Sequence, residues 1–228
     1  LAGENRKRAI AKLEADNPHL WHAYETAKRR FDAVNLYYRA AGRYPLTANG
    51  KINTYRLFAE TFVQGTAASG RTGFIVPSGI ATDDTSKEFF AHIASSSRLV
   101  SLLDFENREG VFPAVDSRQK FCLLTLGEAA AARFVCFATE VAHLADLRRQ
   151  FTLTPQEFAL LNPNTRTCPV FRSQRDAELT KKLYRHVPVL IREAVTDEAG
   201  AIVEPEANPW GIRFLQGLFN MTSDSALF

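Results

Sequence analysis

The sequence predicts an α/β fold, and three observations carry that prediction. A short unbroken apolar run, Gly73-Phe74-Ile75-Val76-Pro77, stops at a proline and leads through a polar loop into a helix, the strand–loop–helix order of α/β proteins. Two further strand-like runs, Leu99–Phe105 and Phe121–Leu126, are joined by a polar connection with no room for a helical crossover, which predicts an antiparallel pair. Helical periodicity occupies the chain before and after this region. The expected architecture is an α/β alternation containing an antiparallel strand pair, preceded by helices and followed by a mainly helical segment.

The elements follow in order. Residues 4–15 and about 19–40 show helical spacing with few breakers, and Leu20, Trp21, Tyr24, Ala27, Phe31, Val34 and Tyr38 step by three or four into one apolar stripe. Gly42 to Gly50 concentrates turn formers, so a loop is expected there, and a helix from about Ile52 to Gln64 with Ile52, Tyr55, Phe58, Ala59 and Phe62 on one side. Gly73–Pro77 reads as a fully buried central strand. Ser78–Ser86 reads as a loop in which Thr82 to Thr85 offer N-cap oxygens to a helix over Lys87–Ala94. Beyond the antiparallel pair, Arg133–Ala138 reads as a further strand, and Val141–Gln150, Pro155–Leu161 and Ser173–Arg185 as helices, the last capped by Ser173. The organisation expected is a helical segment and loop over 1–51, the sheet region over 52–139, and a helical connector over 140–228.

With 46% hydrophobic residues, 23% charged and 17 Phe, the chain is a packed globular body rather than a disordered tail. No stretch approaches the roughly 20 apolar residues of a membrane span, and no charged-then-apolar leader opens the sequence, so a cytoplasmic location without a membrane partner is expected. The first residue is Leu1 and the last segment ends on Phe228, which reads as a piece of a longer protein. Cys122, Cys136 and Cys168 have neither zinc-site spacing nor an even count, so buried reduced thiols are expected. The net charge of +3 hides an asymmetry: residues 1–51 carry ten Lys/Arg against five Asp/Glu. That basic third is compatible with a nearby phosphate backbone and equally with a solvated helix face.

Three groups of residues resemble adenine-specific DNA methyltransferases fused into single-chain type II (IIG-like) restriction-modification enzymes. Asn53-Thr54-Tyr55-Arg56-Leu57-Phe58 followed by Gly70-Arg71-Thr72-Gly73-Phe74-Ile75-Val76-Pro77 is similar to the family's Asn-x-Tyr-x-x-Phe helix and the strand after it. Leu103-Asp104-Phe105-Glu106-Asn107, Val111-Phe112-Pro113 and Lys120-Phe121-Cys122-Leu123-Leu124 are similar to the terminal antiparallel strands of that family's sheet. Leu161-Asn162-Pro163-Asn164-Thr165, Pro169-Val170-Phe171-Arg172, Asn208-Pro209-Trp210 and Met221–Ser225 are similar to the connector toward the target-recognition region. The resemblance runs from about residue 40 onward and rests on the order of the segments.

The resemblance implies the C-terminal part of a Rossmann-like class I methyltransferase sheet, with S-adenosylmethionine as methyl donor and duplex DNA as partner. It also implies that the chain alone is inactive. The glycine-rich cofactor turn has no counterpart here, and the catalytic Asn/Asp-Pro-Pro-aromatic loop is absent from the sequence. Asn162-Pro163-Asn164 and Asn208-Pro209-Trp210 are decoys, because the family's catalytic loop precedes the Asn-x-Tyr helix. By position, Phe58 matches a ring that packs on the cofactor's adenine, its alternative being a plain core aromatic. Asn53 and Tyr55 match residues that orient the catalytic loop or cap the helix. Phe89 or Phe90 falls near the aromatic that stacks on an extrahelical target adenine, the alternative being helix core. No catalytic residue and no metal ligand is expected; the five histidines are scattered, and no acidic-then-Glu-x-Lys nuclease pattern accompanies Asp83-Asp84. A sheet lacking its first strands exposes an edge through which copies can pair. The competing reading is a non-enzymatic DNA-binding or scaffolding module gripping phosphates with its basic N-terminal helices.

Overall fold

A computed structural model describes residues 3–197, 199–213 and 215. Helices α1 (Gly3–Asp16) and α2 (Pro18–Ala40) are separated by Asn17, whose side chain accepts from the Leu20 N–H while Pro18 supplies a first helical residue that needs no donor. Neither helix buries a residue. The predicted stripe on α2 exists but lies open, with Phe31 69% exposed.

Helix α3 (Thr54–Gly65) runs back over strand β1 (Thr72–Pro77). A short helix α4 (Gly79–Thr82), where the sequence predicts loop, precedes α5 (Lys87–Ser95). The expected threonine caps do not form: Asp84–Ser86 is a single 3-10 turn leading straight into α5, whose cap residue Ser86 makes no side-chain capping bond. Strands β2 (Leu99–Glu106), β3 (Lys120–Leu126), β4 (Ala132–Ala138) and β5 (Phe151–Leu153) complete a five-stranded sheet of order β1-β3-β2-β4-β5. Helices α6 (Pro155–Leu161) and α7 (Gln174–His186) follow, then a small hairpin of β6 (Val195–Thr196) and β7 (Ile202–Glu204).

The sheet is mixed. β3 pairs antiparallel with β1 on one side and with β2 on the other, so β1 and β2 run parallel with a reversed strand between them. β4 joins β2 in parallel, and β5 closes the far side antiparallel to β4. The predicted antiparallel pairing of β2 with β3 is present, from Leu99↔Leu126 to Glu106↔Lys120, but the pair is not terminal: β1 flanks β3, and β4 and β5 continue the sheet beyond β2.

One prediction about β1 is overturned. It is an edge strand rather than a central one: only β3 pairs with it among the described residues, and Ile75 is 54% exposed. An all-apolar run is the pattern of a strand covered on both sides, and among the described residues that covering is not supplied. Residues 141–150 are not a helix either. Val141–Ala145 form a 3-10 segment, Asp146 binds Arg148 through backbone and side chain, and the chain then enters β5, too short to register as a period.

The main core lies on one face of the sheet. There Phe89, Phe90 and Ile93 of α5, Ile80 of α4, Ala59 of α3, Phe158 of α6 and Ala177 of α7 meet Leu102, Cys122, Leu124, Phe134 and Leu153. Because β5, α6 and α7 contribute to this same cluster, residue 139 marks no break in packing. The opposite face carries a smaller cluster of Phe105, Phe121, Val135 and Ala138, to which loop residues Val111 and Leu144 add cover. All three cysteines are buried and free, as expected. Burial and the nearby Asp104 carboxylate push the Cys136 thiol up to about 12, so it stays protonated near neutral pH.

Candidate functional site at the carboxyl edge of the sheet

Because β1, β2 and β4 are parallel, their carboxyl ends share one edge, with the start of β3 between them. In open α/β sheets this is where ligands bind. Four segments converge on it: the N-terminus of α3, the turn Ser78–Ser86, the β2–β3 connection 107–119, and the end of β4.

A buried carboxylate ties the edge together. Asp104 is 7% exposed, accepts a hydrogen bond from the Ser78 hydroxyl at 2.5 Å, and accepts another from the Phe137 N–H at 3.2 Å. Ser78 follows β1, Asp104 lies two residues from the end of β2 and Phe137 next to the end of β4, so one side chain ties three strand ends together. The next turn is tightly built. A Cβ placed on Gly79 would collide with the Asp83 carboxylate where it folds back over the turn, so a larger residue there requires that side chain to move. Burial and Asp83 raise the Tyr55 phenol above its ordinary value, with Arg56 and the Ser86 hydroxyl acting against them.

The β2–β3 connection is held open by Asn107, which is fully buried. Its amide donates to the carbonyls of Phe112 and Val115 and its oxygen accepts from the Phe112 N–H. That clamp presents Phe112, 38% exposed and edge-on to Phe121 at 4.9 Å.

The residues singled out from sequence fare differently. Asn53 occupies the cap position of α3 but makes no side-chain capping bond, and it is exposed. Tyr55 is half-buried against the main core near the carboxyl edge. Phe58, one turn on, is 61% exposed, so it is not the plain core aromatic that was its alternative. On α3 the expected apolar side is met only in part: Ala59 is buried and Tyr55 packs on the main core, Phe62 lies partly exposed against Phe74, Phe58 is exposed, and Arg56 and Glu60 are buried as well. Arg56 donates to Asn49 and to the Thr85 carbonyl, and Glu60 accepts from the Thr47 hydroxyl and the Leu46 N–H. The buried charges therefore pin the 43–51 loop to α3.

Phe89 and Phe90 are corrected. Both are 0% exposed and packed under the sheet, Phe90 edge-on to Phe158, so neither has a ring face to offer a base. Phe112, by contrast, has an accessible ring at this edge. The signal was present in the sequence, an aromatic before proline within a polar connection, but burial was needed to rank it above the helix phenylalanines. Asn162 and Asn208 are occupied locally, Asn162 bonding Thr165 and Thr167, and Asn208 bonding Ile212. The segment Met221–Ser225 lies outside the described residues.

No family model and no curated protein matches this sequence. Among the described residues, no group of His, Cys, Asp and Glu is arranged to hold a metal ion, and no helix is long and apolar enough to cross a membrane.

Proposed function

We propose that this chain is the trailing half of an adenine-specific DNA methyltransferase domain from a restriction-modification system, acting on duplex DNA with S-adenosylmethionine as donor. The observation that carries the reading is the strand order: two parallel strands, β1 and β2, with the reversed strand β3 inserted between them. A reversed strand paired antiparallel near the end of a methyl-transfer sheet is what the sequence resemblance implies, although here β4 and β5 extend the sheet beyond that pair. Simple parallel winding would place β2 directly against β1.

Three features give the missing half a place. The outer edge of β1 has no partner among the described residues, Ile75 is exposed beside it, and α3 turns Phe58 and Phe62 outward. In this reading the leading strands of the sheet continue along β1, and Phe58 forms one wall of the cofactor site. S-adenosylmethionine would supply the electrophilic methyl group. The glycine turn and the catalytic loop would come from residues outside this chain. Phe112 takes the base-stacking part first assigned to Phe89 or Phe90, because it alone of the three has an accessible ring at the carboxyl edge.

The test is methyl transfer. A protein joining this chain to the residues encoded before it should move a labelled methyl group from S-adenosylmethionine to adenine in duplex DNA. Phe58→Ala should raise the KM for the cofactor, and Phe112→Ala should lower kcat/KM for DNA. Failure to label any duplex sinks the reading; salt-sensitive DNA binding without transfer would favour a scaffolding module instead. Alone, the chain should pair with a copy of itself across the β1 edge, a dimer that sedimentation detects and that Ile75→Lys should disperse.

A further inference from the structure

The end of β4 is strained, and the strain aims an aromatic ring at two cations. The pairing of β4 with β2 steps from Leu103↔Val135 to Phe105↔Ala138, leaving Cys136 and Phe137 opposite Asp104 alone. This is a bulge with one extra residue on β4. Phe137 sits at φ 57°, in the left-handed region that costs a residue bearing a Cβ roughly 1–2 kcal/mol. Its freed N–H goes to Asp104 rather than into the ladder. Such outliers concentrate at functional sites.

The Phe137 ring meets the Arg172 guanidinium, whose Cζ lies 4.5 Å from the ring centroid, and the Lys120 ammonium at 5.7 Å. The two cations are not equivalent. Lys120 is engaged by Glu106 at 2.9 Å, whereas Arg172 has no carboxylate within ion-pair distance among the described residues. It is exposed. An arginine already seated over a ring has lost much of its side-chain freedom and keeps a planar fork of donors for an oxyanion. Lys120 and Phe121 are consecutive in β3 and point to opposite faces, so the Arg172 fork and Phe112, which packs on Phe121, lie on either face of the same carboxyl edge.

We propose that Arg172, seated on Phe137 and flanked by Lys120, is a contact for a backbone phosphate of duplex DNA at the carboxyl edge of the sheet. The choice of DNA over another oxyanion rests on the functional reading above. The position fits it: a base reaching Phe112 brings its own backbone along the same edge.

The experiment is fluorescence anisotropy of a labelled duplex titrated with the 228-residue chain over a range of salt concentrations. Arg172→Gln should weaken binding roughly eightfold at about 0.1 M salt, the value of one released counterion, and lower the log–log salt slope by about one. Arg172→Lys, which keeps the charge without the planar fork, should retain the slope and lose only part of the affinity. Arg133→Gln, at the amino edge of β4, should change neither. An Arg172→Gln protein that matches wild type in affinity and slope, or a wild-type chain that does not bind duplex at low salt, overturns the proposal. So does competition by millimolar inorganic phosphate, at matched ionic strength, that Arg172→Gln abolishes, since the site would then serve a free anion. DNA binding through Arg172 by a protein that transfers no methyl group would leave this contact standing and remove only the methyltransferase reading.

Discussion

Replacing Asp104 tests how the carboxyl edge is held. Its carboxylate is the acceptor for a buried hydroxyl, Ser78, and for the N–H of Phe137, the residue held at a left-handed φ. Asp104→Ala leaves both donors without a partner. At about 1–3 kcal/mol for a buried donor left unmade, and taking the hydroxyl at the low end because it can rotate, the loss is about 3 kcal/mol. Asp104→Asn keeps the shape. Its amide oxygen can accept from Phe137 while its NH2 donates to a Ser78 hydroxyl turned to act as acceptor, so only the charge assistance goes, about 1 kcal/mol. For a chain of this size these losses correspond to falls in Tm of roughly 9 °C and 3 °C. Urea unfolding followed by far-UV circular dichroism gives the free energies, and a thermal melt gives Tm. If alanine and asparagine cost the same, or alanine costs less than about 1 kcal/mol, Asp104 does not organise these strand ends.

Three other outcomes follow from the geometry. At Phe137 the usual strand preference should reverse: Phe137→Gly should be more stable than Phe137→Ala by about 1 kcal/mol in urea, because only glycine adopts a left-handed φ without cost. Phe90→Ala, emptying a fully buried site, should cost about 3–5 kcal/mol, whereas Phe112→Ala, losing an exposed ring that contacts Phe121, should cost about 1 kcal/mol; the same melts compare them. Lys181 is buried between Glu178 at 2.6 Å and Glu157 at 3.1 Å; burial pulls its pKa down, but the two carboxylates outweigh it and the net shift is upward. A raised lysine pKa gives stability that is complete below the unfolded value of about 10.4 and lost as pH climbs through the folded one. The urea midpoint of wild type should therefore fall more steeply than that of Lys181→Met as pH rises above about 10.4.

Much of the fold was legible because local physics and tertiary packing agree there. The β2–β3 pair followed from two apolar runs with no space for a crossover, and the α7 boundary from Ser173, whose hydroxyl accepts from the Asp176 N–H. Helix α6 opens with a capping box, the Thr154 hydroxyl accepting from Glu157 N–H and the Glu157 carboxylate from Thr154 N–H, just before the predicted start at Pro155. β5 was missed because three residues carry no period.

The candidate site was less legible. Composition marked Phe58, Phe89, Phe90 and Phe112 alike as large apolar rings. Their exposures of 61%, 0%, 0% and 38% come from what the rest of the chain lays over them. The buried Arg56 and Glu60 show the converse: a helix face that reads as polar was turned inward because the 43–51 loop supplies its hydrogen-bond partners.

Local sequence was enough for the class of the fold, the antiparallel strand pair and the reduced, buried state of the thiols, since each depends on neighbours a few residues away or on residue type alone. The edge position of β1, the convergence of Ser78, Asp104 and Phe137, and the seating of Arg172 over a strained ring depend on contacts between residues 26 to 54 positions apart. Strand pairing and a bulge set those contacts, and no pattern within a single segment encodes them.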